Sequence, residues 1–165
     1  MNGSTNDNAP VSWTQLVTFR LGREHYGIPV GKVKEIIRPM EACPIPGMAG
    51  SVEGVINLRG EIIPVLRIHT VLGVRETDEP DSRKKRVIIL DSGDGGFGIT
   101  VDEVMEVVKV EDGNIKRSPE VGAGRGCEEA IMGIVEVAGM MVICLDPERL
   151  VAGSLDLREI VQANC

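Results

Sequence analysis

Few side chains in this sequence have the type and spacing that catalysis needs. Nucleophilic catalysis requires a base beside a nucleophile, and the chain carries two histidines, His25 and His69. His25 falls in a hairpin turn and His69 at the start of a short helix, where a histidine is usually structural or solvated. No serine stands in a Gly-x-Ser-x-Gly turn. The four cysteines, at 43, 127, 144 and 165, include no Cys-x-x-Cys pair and cluster with no histidine, so a zinc site is not expected. Asp91-Ser92-Gly93-Asp94-Gly95-Gly96 resembles the opening of a calcium loop but lacks its spacing and closing Glu. Gly122-Ala123-Gly124-Arg125-Gly126 has neither the spacing of a phosphate cradle nor a following Lys-Ser/Thr. The expectation is a protein with no catalytic residue, no metal and no cofactor.

Recognition chemistry is better supplied. In Gly54-Val55-Ile56-Asn57-Leu58-Arg59-Gly60-Glu61-Ile62-Ile63-Pro64-Val65, aliphatic arms flank a polar tip. The pattern predicts a β-hairpin in which Gly60 takes the positive φ that a tight turn demands. Both arms are almost unbroken aliphatic, so both faces are expected to be buried. A guanidinium carried on two stiff strands is a well-placed grip for a partner.

Composition constrains the elements that hold this tip. At 165 residues one domain, or two small units sharing a core, is expected. With 2% aromatic content the core must be Val, Ile and Leu, which favours strands. A net charge of −7 repels phosphate backbones, so nucleic acid is not an expected partner. The basic run Arg83-Lys84-Lys85-Arg86 reads as a solvated cluster protecting a strand edge. No apolar run approaches a membrane span and no leader peptide is visible, so a cytosolic protein with reduced thiols is expected. Cys144, in an apolar run, is assigned to the core.

Residues 1–14 read as a flexible polar tail. Strands are expected at Val17 to Leu21 and Tyr26 to Val30, and a helical turn leading into a strand across Val33 to Ile37. Residues 38–51 form a proline and glycine loop. After the central hairpin come a brief helix from Ile68 to Gly73, a charged loop over 76–85, and strands at Val87 to Leu90 and Phe97 to Val101. A long loop over 111–130 leads to a last hairpin, Ile131 to Val137 with Met140 to Leu145. Asp146-Pro147-Glu148 looks like a helix start and Gly153 its stop, with 154–165 a helical extension.

The chain also repeats itself. Residues 16–37 align with 87–108, setting Tyr26-Gly27-Ile28-Pro29-Val30 on Phe97-Gly98-Ile99-Thr100-Val101. Residues 52–66 align with 131–145, matching Gly54, Gly60 and Leu66 to Gly133, Gly139 and Leu145. Ten short strands in two sets of five predict an all-β protein of two small barrels, too small to be stable apart and therefore sharing an interface. The hairpin tip Asn57-Leu58-Arg59-Gly60-Glu61 answers to Glu136-Val137-Ala138-Gly139-Met140. Folding demands are nearly equal at the two tips, so the single arginine points to recognition.

These stretches resemble the CheW family of bacterial chemotaxis coupling proteins and the homologous regulatory domain of the chemotaxis histidine kinase. The likeness is carried by Tyr26 to Val30, Val33-Lys34-Glu35-Ile36-Ile37, Pro44-Ile45-Pro46, Gly54 to Gly60 with Ile62 to Val65, Gly133-Ile134 and Leu145-Asp146. It runs from about Gln15 to Val151 and implies a CheW-like domain over 15–153. The resemblance implies two intertwined SH3-like five-stranded barrels from an internal duplication, acting as a non-catalytic adaptor. Its implied partners are the cytoplasmic tip of methyl-accepting receptors and the kinase regulatory domain, in the cytoplasm at membrane receptor arrays. Carried over by position, Val33, Glu35, Ile36, Gly54, Asn57, Arg59 and Gly60 would meet the receptor at a groove between the barrels, with Glu35 and Arg59 approaching each other. Arg86, Val87, Lys116, Glu120 and Val121 would face the kinase. Arg67 stands where the family commonly has an acid. Alternatives are a coupling protein of a non-flagellar chemosensory pathway, or a sensor holding a small molecule in a barrel or in the groove.

Overall fold

The computed structural model describes residues 10–47, 50–76, 81–93, 95–117 and 130–152. The extension at 154–165, the loop from Gly122 to Gly126, and residues 1–9 of the expected tail lie outside them. Among the described residues the strands are β1 (Trp13–Leu21), β2 (Glu24–Pro29), β3 (Val33–Ile37), β4 (Val52–Leu58) and β5 (Glu61–Leu66), then β6 (Arg86–Asp91), β7 (Gly96–Val101), β8 (Glu103–Glu111), β9 (Ile131–Val137) and β10 (Met140–Leu145). Short helices α1 (Ile68–Leu72) and α2 (Pro147–Ala152) follow β5 and β10. Gly73, at φ 67°, ends α1. The Asp146 carboxylate accepts from the Glu148 N–H at 3.0 Å, the expected cap of α2.

The strands form two five-stranded sheets, ordered β8-β1-β2-β10-β9 and β3-β6-β7-β5-β4. Each sheet takes a hairpin from one copy of the repeat and three strands from the other. Strand β8 pairs with β1, and β3 with β6, so the copies exchange their opening hairpins. This exchange is what intertwines the two SH3-like barrels.

Burial follows the exchange. Leu16, Val135, Val142 and Cys144 fill one barrel, and Ile56, Ile63, Val65, Val87 and Ile89 fill the other. The largest core lies between them, where Phe19, Leu21 and Tyr26 of one sheet meet Ile88, Leu90 and Phe97 of the other. Strand β6 therefore faces a core on both sides: Val87 and Ile89 point into their own barrel, Ile88 and Leu90 into the junction. That double burial accounts for its unbroken aliphatic run.

Three expectations need adjusting. The central hairpin is not buried on both faces throughout. Strand β4 alternates, and Ile62 at the open end of β5 is 45% exposed. Part of the expected tail is strand, because Trp13 and Thr14 pair with Glu111 and Val110 of β8 and the Lys109 ammonium lies 5.0 Å over the Trp13 ring. Across 30–37, a 3-10 turn at Val30–Lys32 precedes a strand that takes all of Val33–Ile37.

Candidate functional site

The turn between β4 and β5 is two residues long. Arg59 and Gly60 have φ of 51° and 89°, the paired positive values of a type I′ hairpin. The Asn57 side-chain carbonyl accepts from the Gly60 N–H at 2.9 Å and holds the turn closed. A left-handed arginine costs about 1–2 kcal/mol, but Ala138 in the second copy sits at φ 50° before Gly139 at 81°. The strained backbone thus belongs to the architecture, and only the guanidinium is particular to this tip.

That guanidinium forms an ion pair with the Glu35 carboxylate of β3. Strands β3 and β4 are the two ends of their sheet, so the pair links its open edges. Beside it lies a cleft of about 220 Å³ with Leu58, Ile63 and Ile89 among its lining and four charged residues, Lys34, Glu35, Arg59 and Glu61, about it. Ile63 and Ile89 are core residues of the same barrel, so the cleft is the mouth of that barrel with an apolar floor. Ile36 on β3 and Ile62 on β5, 41% and 45% exposed, leave apolar surface on the same elements. All the lining comes from one sheet, so the groove expected between the barrels is here a cleft within one of them.

The remaining candidates separate by burial. Val33 packs against the junction core and supports β3 from beneath. Gly54 is buried, and a Cβ there would lie 2.5 Å from the Cys43 carbonyl oxygen, so it is a point of close backbone approach. Cys43 pairs with Val55 across that approach, just as Lys116 pairs with Ile134 beside Gly133 in the second copy. Of the residues assigned to the kinase, Val87 is 2% exposed inside its barrel, so its side chain is core and not surface. Arg86 donates to the carbonyls of Arg83 and Lys85 on the sheet that bears Arg59. Lys116 lies against the other barrel, and Glu120 and Val121 fall outside the described residues.

Residues with chemistry the sequence left unremarked also emerge. Asp102, 6% exposed, accepts from the Gly22 N–H at 2.6 Å and lies 3.2 Å from His69 Nε2. This network joins the β1–β2 turn of one barrel to α1 beside the other, and makes His69 structural. No local pattern marks Asp102, since the second-copy alignment sets it opposite Gly31. Lys34 and Glu61 stand opposite Met105 and Met140, a contrast carried by the repeat. Cys144 is fully buried as expected, and burial pushes its thiol up to about 11. Among the described residues no group of His, Cys, Asp and Glu has the geometry to hold a metal ion. No described helix is long and apolar enough to cross a membrane.

Comparison with known proteins places this geometry. The model of the CheW-like domain matches residues 15–154. Chemotaxis protein CheW of Treponema pallidum is 38% identical over 138 residues, covering 82% of this chain and 81% of that protein. Chemotaxis protein CheW of Bacillus subtilis is 30% identical over 132 residues, covering 80% and 83%. Protein PilI of Pseudomonas aeruginosa is 31% identical over 93 residues, covering 56% and 51%. The crystal structure of the scaffolding protein TtCheW from Thermoanaerobacter tengcongensis superposes with a TM-score of 0.74 at 28% identity, covering 87% of this chain and 90% of that one. A matched domain over most of the chain, the same two-sheet architecture and these relatives carry one conclusion: the chain belongs to the CheW family of chemotaxis scaffold proteins.

Proposed function

We propose that the chain is a non-catalytic adaptor joining the cytoplasmic tip of methyl-accepting chemoreceptors to the regulatory domain of the chemotaxis histidine kinase, in the cytoplasm at membrane receptor arrays. The observation that carries this reading is the Arg59–Glu35 pair at the mouth of one barrel, set against Ala138 on the same backbone in the other. An apolar floor under a charged rim suits a helical segment that presents a few apolar side chains among polar ones. Glu35, Ile36, Asn57 and Arg59 form the receptor side, while Val33, Gly54 and Gly60 hold their backbone. Arg86 and Lys116, with Glu120 and Val121, are the kinase side. A second reading, a coupling protein of a non-flagellar chemosensory pathway, draws on the likeness to Protein PilI, a relative not named for CheW.

The test is co-precipitation from lysate with wild-type and Arg59→Glu protein. Reversal sets a second acid beside Glu35 and should remove chemoreceptors from the captured set. Stability should hardly change, because Arg59 is 70% exposed and such pairs contribute about 0–1 kcal/mol. Undiminished receptor capture by the folded variant would refute the assignment of this cleft.

A further inference from the structure

The duplication provides an internal control for the cleft. Corresponding positions in the two copies share backbone conformation at the hairpin tip. They also share exposed apolar residues: Ile36 answers to Val107 and Ile62 to Met141, all four well exposed. Glu35 answers to Glu106. The other rim charges do not recur. Lys34, Arg59 and Glu61 stand where the second copy has Met105, Ala138 and Met140. The fold itself therefore requires none of those three charges.

Arg59 is committed to Glu35. Lys34 and Glu61 have no such engagement: among the described residues neither side chain makes a hydrogen bond or an ion pair. The Lys34 ammonium reaches over Gly96, 3.5 Å from where a Cβ would sit. Glu61 opens β5 directly opposite Leu58, beside the Arg59 turn. The cleft thus carries one closed ion pair, one free cation next to Glu35 and one free acid next to Arg59. Free charges on the rim of a contact surface choose partners more than they add affinity, since a like charge opposite either is penalised. We infer that Lys34 and Glu61 select the helical partner of this cleft by charge, an acidic side chain of the partner meeting Lys34 and a basic one meeting Glu61. The inference rests on the adaptor reading and makes it more specific.

The probe is the cytoplasmic tip hairpin of the chemoreceptors encoded in the same genome, prepared as soluble fragments and titrated by fluorescence anisotropy over a salt series. Lys34→Met combined with Glu61→Met installs the side chains that the second barrel already carries at these positions. Loss of two rim pairs weakens binding about tenfold at low salt and flattens the salt dependence. The charge exchange, Lys34→Glu with Glu61→Lys, weakens it further, because both contacts become repulsive. Lys34→Gln with Glu61→Gln repeats the neutralisation with polar side chains should the methionine variant fold poorly. If neutralised protein binds as wild type does, with the same salt dependence, while Arg59→Glu does not bind, this inference fails and the adaptor reading stands. If wild-type protein binds none of the fragments, both fail.

Discussion

Three glycines isolate the two reasons a side chain can be excluded from this fold. At Gly60 nothing lies within 4 Å of an added Cβ, but φ is 89°. At Gly133 the backbone has no positive φ, but a Cβ would lie 2.8 Å from the Lys116 carbonyl oxygen. Gly54 combines both restrictions: φ is 152°, and a Cβ would lie 2.5 Å from the Cys43 carbonyl oxygen and 2.8 Å from its carbon. At Gly54 rotating a side chain cannot relieve the clash, because the struck Cys43 atoms are backbone held in a β-bridge; at Gly133 the bridged Lys116 carbonyl is equally fixed, although Ile115 Cγ2, 2.9 Å away, belongs to a side chain. Gly60→Ala should therefore cost about 1 kcal/mol, the left-handed strain alone. Gly133→Ala should cost about 1–3 kcal/mol, as overpacking does. Gly54→Ala should cost about 3–5 kcal/mol, the sum of a steric and a conformational penalty. Urea unfolding followed by circular dichroism measures all three. With a slope of about 2 kcal/mol/M, Gly54→Ala lowers the midpoint by roughly 2 M. A Gly54→Ala protein no less stable than Gly60→Ala would show that the approach of Cys43 to Val55 does not need the glycine. A folded Gly54→Ala protein that had lost its partners would instead make Gly54 a recognition residue.

The remaining predictions concern the interior. Asp102→Ala strands the buried Gly22 N–H and leaves His69 without its partner, costing about 2–3 kcal/mol. Asp102→Asn, which keeps an acceptor, should lose less in the same thermal melts, and an Asp102→Ala protein that melts like wild type would remove the network's structural role. The Cys144 thiol, raised from 9.0 to about 11 by burial, holds its proton in the folded chain after the unfolded chain has released it. Its contribution is therefore complete below pH 9 and falls away as pH rises towards 11, by about 2 kcal/mol. Denaturation across that window, compared with Cys144→Ala, checks both sign and size, and an unchanged slope in the variant would contradict it. A thiol reagent should label exposed Cys43 in the native protein while Cys144 stays protected until unfolding.

Much of the site was legible because its signals are local. The aliphatic arms around Asn57 to Glu61 and the glycine at 60 specify a tight hairpin turn whatever surrounds it, and the turn is there. Comparing Arg59 with Ala138 singled out the guanidinium, since two hairpins under equal folding demands differ at that side chain. Burial at Gly54 and Val87 was not legible, because motif membership does not distinguish a residue that faces a partner from one that shapes the backbone or fills a core. Burial makes that distinction, and burial depends on neighbours far along the chain. Asp102 had no local signature, because its partners, Gly22 and His69, belong to other elements.

By itself the sequence determined that the chain is built of short aliphatic strands, that it is a doubled unit, and that one of two equivalent turns carries an arginine. Periodicity, turn chemistry and self-similarity are all read from residues close together or placed alike in two copies. Tertiary structure alone decided that the copies trade their opening hairpins, that Glu35 and Arg59 close the mouth of a single barrel, and that Lys34 and Glu61 find no partner there among the described residues. Strand exchange is a choice among long-range pairings, and the two hairpins are too alike in apolar pattern for the sequence to say which of them completes which sheet.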